Sequence, residues 1–311
     1  MALDQAWVYH FNDGFLIQLQ QEGSLLSGSL DPAMVKNGVR GAIDHHERLG
    51  SLMLNDVISP YAPVSPLQAR HSRRAVTLQS SAGPLLFSDE DTIRSMTEPG
   101  NGYRRTLLAA AKRRKDKHVI DAALGTATTA AVTSGSGVIT YGTQALPSAR
   151  VLGSGIAITL TNIIAGFELH AKAGASGEEG ELTFAYAPGQ LRDLMAITQA
   201  SSSDFTKNRI HDKGTINGMT WEGFKWVQIA DVLQEDASTS IQRMLPLSST
   251  TRSCVSFHRG AIGMSVGKDV TTMVDPRPDL ESRPTQIRVS IMLGCVRVWE
   301  GGVVQYNVLE N

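Results

Sequence analysis

The side chains with the clearest chemical potential lie in the segment GMSVG, residues 263–267, which matches the G-x-S-x-G pattern of a serine nucleophile. In that pattern the serine sits on a turn from a strand into a helix, and the catalytic histidine follows it in the chain. Here the next residues, KDVTTMVDPRP, are β-branched and interrupted by prolines, and no histidine follows His258. The sequence therefore predicts no serine hydrolase at Ser265.

The same glycines, followed by Lys268 and Asp269, resemble a phosphate-binding loop. Three residues instead of four separate the two glycines, and an aspartate stands where a magnesium-binding hydroxyl would be needed. An aspartate at that position would also repel phosphate. A strand end followed by a turn is the better interpretation.

Asp44-His45-His46-Glu47 brings together side chains of metal-binding type. Adjacent histidines point in different directions on a helix or a strand, and no second cluster completes a tetrahedral site. We interpret the segment as a polar arm, and we expect no metal, no cofactor and no enzymatic activity.

Composition excludes several classes of protein. With 29 basic and 30 acidic residues in 311, the chain lacks the excess of cations that a dedicated nucleic-acid binder needs. Cys254 and Cys295 are far apart and belong to no CxxC pair, so we expect buried free thiols. The N-terminus lacks the features of a secretion signal, and no apolar run has the length of a membrane span. We expect synthesis in a cytoplasm and no membrane partner.

Hydrophobic periodicity predicts one long helix over residues 103–124, ended by Gly125. This helix carries a basic cluster interrupted by Asp116, and its cations could contact phosphate or simply face water: Lys112, Arg113, Arg114, Lys115 and Lys117. The chain after residue 250 alternates like strands. The fold class is therefore α+β with mostly antiparallel strands.

Two regions of the sequence have too few continuous apolar residues to bury much surface within themselves. The first fifty residues contain only short apolar pieces broken by polar, glycine and serine residues, which suggests an extended arm or a segment that packs on something else. Residues 56–92 suggest a long hairpin punctuated by Pro60, Pro63 and Pro66, since prolines favour strand edges.

Two long segments resemble major capsid proteins of tailed bacteriophages with the Hong Kong 97 fold. Residues 85–129 contain an acidic turn leading into a long helix that ends in ALGTA, as in that family. Residues 256–308 contain the FH-x-x-A-I-G step, a GKD turn, a DPRPD loop and a long strand broken by Leu293-Gly294. HSRRAVTL (71–78) and the segment 201–227 are also similar, so the resemblance runs in order along most of the chain.

The resemblance implies a Hong Kong 97-like organisation with an N-terminal arm, an extended loop, a peripheral domain built on a spine helix, and an axial domain. The implied boundaries are 1–49 for the arm, 50–92 for the extended loop, 93–160 for the peripheral domain with spine helix 103–124, 161–267 for the axial domain, 268–296 for the peripheral return strands and loop, and 297–311 for a C-terminal strand returning to the axial domain.

The implied function is that of a major capsid protein assembling as pentamers and hexamers into an icosahedral head around the phage genome. Alternatives are an encapsulin-like cargo shell or another virion structural protein. The implied partners are identical copies, a portal, a separate scaffolding protein, packaged double-stranded DNA bound non-specifically, and, where one exists, a decoration protein. Candidate inter-subunit contacts are Arg73, Arg74, Asp275, Arg277 and Asp279, and the basic cluster of the long helix would face the inside.

Two expectations concern assembly. Some shells of this fold are joined covalently through a lysine on the extended loop, but no lysine occurs between Lys36 and Lys112 here, which predicts a non-covalent shell. No long, charged helical segment precedes residue 50, which is why we expect scaffolding to come from a separate protein or not to be needed.

Overall fold

The computed structural model describes residues 21–54, 56, 66–88, 100–132, 138–175, 181–197, 215–234 and 242–310. The helices in these ranges are α1 (Gly100–Leu124), α2 (Leu160–Lys172) and α3 (Gly189–Met195). The strands are β1 (Val35–Asn37), β2 (Ile43–Leu49), β3 (His71–Thr77), β4 (Gln79–Phe87), β5 (Ala127–Val132), β6 (Ile139–Gln144), β7 (Val151–Ile156), β8 (Leu182–Tyr186), β9 (Thr220–Trp221), β10 (Phe224–Gln228), β11 (Val232–Gln234), β12 (Gln242–Arg243), β13 (Leu247–Ser248), β14 (Thr251–His258), β15 (Ile262–Pro276), β16 (Thr285–Arg297) and β17 (Val303–Leu309).

Helix α1 is the predicted long helix, and it begins three residues earlier than expected. Its last turn is closed by the amide of Gly125, which donates to the carbonyl of Asp121 at 2.8 Å. Val119, Ile120 and Ala123 are fully buried at helical spacing, and the helix packs along β16 and β15. A single helix of 25 residues therefore supports the longest strands of the protein.

The described residues form two four-stranded sheets, and the first of them packs on this helix. The first has the order β1-β15-β16-β4, and its long antiparallel pair β15–β16 ends in the loop around residues 277–284. The second, in the order β2-β3-β5-β6, is the base of the predicted hairpin. The hairpin begins at Ile43, inside the segment that the sequence assigned to the arm, because Ile43 through Leu49 pair with Thr77 through His71.

The largest sheet has the order β7-β17-β14-β8-β10-β9, with β13 paired to β14. Aromatic rings fill its core: Phe184 stacks on Trp226 with centroids 4.3 Å apart and lies 4.7 Å from the ring of Tyr306. Helix α2 covers this sheet, and Gly166 on that helix faces the hydroxyl of Tyr306, which leaves no space for a Cβ atom. The predicted C-terminal strand joins this sheet as β17.

Residues 21–50 pack on other parts of their own chain, the second of the two interpretations of this region, although most of their side chains stay half-buried or exposed. Leu26 and Leu30 are buried in the main core, β1 pairs in parallel with β15, and β2 pairs with β3. The sequence alone could not predict these contacts, because the apolar residues of this segment occur in short pieces that pack on distant strands instead of on each other. Residues 1–20 lie outside the described part of the chain.

The other secondary-structure predictions have mixed outcomes. The segment ELTFAYAP and the Pro188 that precedes GQLRDLMAI predict a strand over 181–188 followed by a helix, and both are confirmed as β8 and α3. Ser203 or Asp204 predicts the cap of a further helix running to Lys213, which falls outside the described residues. The apolar composition of residues 151–164 suggests one buried segment, but these residues form β7 and the start of α2, with Ile156 and Ile164 exposed. Among the described helices, none has the length and apolar character needed to cross a membrane.

Candidate functional site

Ser265 lies inside β15, not on a strand-to-helix turn, and it is fully buried. The hydroxyl of Ser265 donates to Asp44 Oδ2 at 2.6 Å and lies 2.9 Å from His46 Nε2. Because the serine proton goes to Asp44, His46 must donate from Nε2 and cannot act as a base toward Ser265. The three side chains form a structural clamp between β2 and β15, which we call the junction cluster. It lacks the geometry of a nucleophilic triad.

Glycines allow the two sheets to approach closely at this cluster. A Cβ on Gly263 would lie 2.7 Å from Nδ1 of His46, and one on Gly294 would lie 2.6 Å from Cγ1 of Val76. The turn expected at residues 267–269 is instead a register shift within the continuous strand β15, between Val266 and Thr271. The glycines of the apparent motifs therefore serve backbone packing.

Burial sets the protonation of the junction cluster. Desolvation and, to a smaller extent, the charge of Lys36 lower the pKa of His46 to about 4, although the carboxylate of Asp44 opposes the change. Burial also works against ionisation of Asp44, but hydrogen bonds from Ser265 and from Lys36 outweigh it, so the pKa of that carboxyl is lowered. At neutral pH the cluster contains a neutral histidine and a carboxylate.

Neighbouring histidines point to opposite faces of β2, as their adjacency predicted. His45 stacks on Tyr141 with ring centroids 6.2 Å apart, while His46 faces Ser265. Within the described ranges, no group of three or more His, Cys, Asp or Glu side chains has an arrangement that could hold a metal ion. The segment is a strand, which corrects its interpretation as a polar arm. Cys254 is a buried free thiol as predicted, and Cys295 is free and half-buried.

A cleft of about 760 Å³ lies at the base of the hairpin sheet, and we call it the arginine cleft. Glu300 binds two of its arginines, with Arg48 Nη1 at 2.9 Å and Arg74 Nη2 in direct contact. Arg74 also donates to the side chain of Gln144 at 2.7 Å and is 5 % exposed. Arg74 thus binds partners within its own chain, and its predicted role as an inter-subunit contact stays a prediction.

Arg73 has the opposite orientation to Arg74, because successive residues on a strand face opposite sides. Its guanidinium lies 2.8 Å from Glu47 across the β2–β3 pair, and both side chains are substantially exposed. Arg73 is therefore accessible to a neighbouring molecule, unlike Arg74.

The loop between β15 and β16 holds the other predicted contacts at the end of the long strand pair. Arg277 binds Asp279 through two hydrogen bonds, at 2.8 and 2.6 Å, and lies 2.9 Å from the amide oxygen of Gln286. The hydrogen bond from Arg277 lowers the pKa of Asp279 to about 2. Asp275 is exposed, pairs in register with Gln286, and lies on the same tip.

The basic cluster of α1 is split by burial. Asp116 is fully buried and accepts hydrogen bonds from Ser24, from Gln21 and from the amides of Leu25 and Leu26, at 2.6, 2.7, 2.9 and 3.1 Å. Arg113 is 9 % exposed and donates to the carbonyl of Gln21 at 3.2 Å. One face of the run therefore holds the N-terminal segment 21–26 and is not a solvated face.

The remaining cations of the run differ in their surroundings. Lys117 binds Asp121 and the carbonyl of Met244, at 2.9 and 3.1 Å. Lys112 is exposed, and Arg114 and Lys115 are half-buried. The structure thus separates Arg113 and Lys117, which are bound within the chain, from three cations on other faces of the helix.

Sequence reasoning missed two buried arginines. Arg297, fully buried at the end of β16, donates to the carbonyls of Ala123 and Gly125 at 2.9 and 2.7 Å and of Gln144 at 3.0 Å. It thereby binds the C-terminus of α1, where the helix dipole favours a cation. Arg252, also fully buried, lies 2.7 Å from Asp231 and 2.5 Å from Glu310. Both lie in apolar strands, where alternation alone predicts no partner.

Large apolar side chains are exposed at the loop end of the hairpin sheet. Leu52, Met53 and Leu54, which follow β2, are 53, 82 and 85 % exposed. Leu49 and Val132 are 61 and 50 % exposed at the same end of the sheet. Grouped exposure of this kind is typical of surfaces that another molecule covers.

Comparison with known proteins agrees with this architecture. The family model described as phage capsid protein matches residues 3–310. No curated protein sequence matches the chain at a significant level. Among solved structures, the capsid of cyanophage P-SCSP1u is similar with a TM-score of 0.69 and 14% identity, covering 100% of this chain and 95% of that one.

Two further structures show the same likeness. Mycobacterium phage Che8 gives a TM-score of 0.64 at 14% identity and covers 96% of each chain. The capsid of Ralstonia phage GP4 gives 0.64 at 9% identity and covers 98% of this chain and 95% of that one. Neither of the alternatives, an encapsulin-like shell or another virion component, is favoured by these likenesses. The chain belongs to the phage capsid protein family, and it is a major capsid protein with the α+β fold of tailed-phage capsids.

Proposed function

We propose that the chain assembles as pentamers and hexamers into a closed icosahedral head that encloses the phage genome. The observation that supports this most directly is the match of the phage capsid family over residues 3–310, together with a capsid fold covering the whole chain. The exposed apolar residues after β2 give a physical reason for association. Leu52, Met53 and Leu54 expose surface that water disfavours and that a neighbouring subunit would bury.

Within this proposal, parts of the chain take the roles that the resemblance implies. Helix α1 is the spine of the peripheral domain, the β2–β3 hairpin carries the extended loop, and the largest sheet forms the axial domain around the fivefold and sixfold axes. Closed repetition lets each subunit bind several neighbours, so contacts that are individually modest add up to a stable shell. The exposed residues Arg73, Asp275 and Asp279 and the half-buried Arg277 would be inter-subunit contacts, whereas Arg74 would support the hairpin from within.

The partners follow from the same assignment. A portal would occupy one vertex, a separate scaffolding protein would guide assembly, a decoration protein could bind outside, and assembly would take place in the host cytoplasm. Packaged DNA would meet the basic side of α1 without sequence specificity. That contact would rest on Lys112, Arg114 and Lys115, because Arg113 and Lys117 are bound within their own chain.

Electron microscopy of the protein, expressed in bacteria together with its flanking genes, tests the proposal. We expect closed shells with hexameric and pentameric units, and sedimentation of most of the protein as large particles. A variant with Leu52, Met53 and Leu54 changed to serine should remain folded but assemble poorly, because it loses the exposed apolar contact. If the wild-type protein stayed monomeric even with its flanking genes, the proposal would be refuted.

A further inference from the structure

The arginine cleft carries more positive charge than its own carboxylates neutralise. Four of its lining residues are arginines, at positions 48, 70, 73 and 74, and two are glutamates, at positions 47 and 300. The cleft thus has an excess of two positive charges. Since the chain has 29 basic and 30 acidic residues, the rest of the molecule has 25 and 28, an excess of three negative charges.

Both glutamates of the cleft are already engaged. Glu300 is shared between Arg48 and Arg74, and Glu47 lies against Arg73. Arg70 is exposed on the lining, and within the described ranges no ion pair involves it. Arg74 is 95 % buried in the wall, and its Nε has no hydrogen-bond partner among the described residues. Because two guanidiniums share one carboxylate, their positive charge is not fully neutralised and can attract a second carboxylate.

The rim of the cleft is apolar, which limits what could bind there. Val132 lines the cleft and Leu49 flanks it, and they are 50 and 61 % exposed. Val138 and Ile139, on the neighbouring strand β6 and its approach, are 60 and 38 % exposed. Nucleic acid prefers a cationic groove with polar surroundings, whereas a charged floor with an apolar rim matches a protein segment carrying both carboxylates and apolar side chains.

We propose that the arginine cleft is a contact site for a second copy of this chain, which inserts carboxylate side chains over Arg70 and Arg48 and covers the apolar rim. This inference rests on the proposed shell function and adds the site and the chemistry of one contact. Complementary charge supports the choice of a second copy, because the rest of the chain has the opposite excess charge. Repetition in the shell also presents every cleft to identical neighbours at high local concentration.

Chemical labelling of arginine with phenylglyoxal tests the site in the wild-type protein. Arg70 should be labelled rapidly in the unassembled subunit and about tenfold more slowly in particles, as mass spectrometry of the modified peptides would measure. Arg70→Glu should lower the fraction of protein in particles by roughly tenfold at equal concentration, because it places a carboxylate opposite the incoming one. Arg70→Lys keeps the charge and should assemble nearly as the wild type does.

The outcomes separate this inference from the proposed function. Particles in which Arg70 is labelled as fast as in the free subunit would overturn the contact while leaving the shell function intact. A second labelling experiment adds inorganic phosphate to the free subunit. If phosphate protected Arg70 in the free subunit while particles left it reactive, the cleft would be a small-anion site and the second copy would be excluded as its occupant. A wild-type chain that forms no particles would overturn the shell function, and this inference with it.

Discussion

The hydroxyl of Ser265 donates to Asp44 at 2.6 Å across 221 positions of sequence and thereby joins the hairpin strand β2 to the long strand β15. His46 contacts the same hydroxyl from the other side, at 2.9 Å. The contact lies where two sheets cross with glycines at the interface, so neither sheet can move there without breaking buried hydrogen bonds. It fixes the base of the hairpin to the body of the subunit.

Replacing Ser265 with alanine should weaken this crossing. The change removes the hydroxyl that separates Asp44 from His46 and leaves buried polar atoms without a partner, which costs about 1–3 kcal/mol. Urea unfolding monitored by circular dichroism would measure the loss. Ser80→Ala, on an exposed position of the edge strand β4, is the matched control and should change the free energy of unfolding by less than about 0.5 kcal/mol. Equal stability of the two variants would show that the cluster contributes nothing.

Acid should destabilise the subunit through His46. Its pKa is about 4 in the folded chain and 6.5 when the imidazole is freely solvated, so the unfolded chain binds the proton more readily. The stabilisation is present above about pH 6.5 and is lost as the pH falls toward about 4. The largest expected loss in the free energy of unfolding is on the order of 3 kcal/mol.

Comparing the wild type with His46→Gln isolates this effect from other buried histidines such as His170, whose pKa burial lowers to about 3. The free energy of unfolding, measured between pH 7 and 4, should fall less steeply in the variant, because glutamine does not titrate. Parallel curves for the two proteins would contradict a role for His46 in acid sensitivity.

Asp116 should anchor the N-terminal segment to the spine helix. Burial raises the pKa of its carboxyl, while hydrogen bonds from Ser24, Leu25, Leu26 and Gln21 lower it. Asp116→Ala removes the acceptor of all four bonds, and we expect a loss of about 2–4 kcal/mol in unfolding free energy.

Limited proteolysis should detect the same change as faster cleavage around residues 21–30 of Asp116→Ala. Lys112→Ala, one turn away and exposed, is the control and should behave as the wild type does. Unchanged cleavage in Asp116→Ala would mean that the burial of Leu26 and Leu30 alone holds the segment.

A mature shell of this protein should dissolve into monomers on a denaturing gel. The stretch between Lys36 and Lys112 contains no lysine, so the hairpin has no amine that could form an isopeptide bond with a neighbour. Particles boiled in detergent should give one band near 33.5 kDa. A ladder of covalent oligomers would refute the prediction, and mass spectrometry of its rungs would identify the residues joined.

Local signals in the sequence predicted the elements whose burial is periodic. Helix α1 was located within three residues, because a long run of Ala, Leu, Lys and Arg ends at Gly125. Strand β16 was evident from Ile287, Val289, Ile291 and Leu293, which are all buried on one face.

Contacts between distant residues could not be predicted. Arg73 and Arg74 look equivalent in sequence, yet the alternation of β3 turns one toward solvent and the other toward Glu300, 226 positions away. In the sequence Asp116 only interrupts a basic cluster, but in the structure it is a buried hydrogen-bond acceptor for a segment that lies 90 or more residues earlier. Helix α2 was missed because the apolar run that leads into it resembles a buried strand.

Arg297 allows the sharpest test of how a buried charge supports the spine helix. Its guanidinium binds three carbonyls, two of them at the end of α1, and burial lowers its pKa while Glu300 opposes that change. Arg297→Met keeps most of the side-chain volume but removes every donor, so the carbonyls of Ala123, Gly125 and Gln144 lose their partner. We expect a loss of about 2–4 kcal/mol and faster hydrogen exchange over residues 119–125. Arg297→Lys should recover only part of the loss, because one ammonium group cannot replace a planar fork with several donors. If Arg297→Met were as stable as the wild type, the desolvation of the guanidinium would equal the gain from its hydrogen bonds, and the end of α1 would be held by packing against β16 alone.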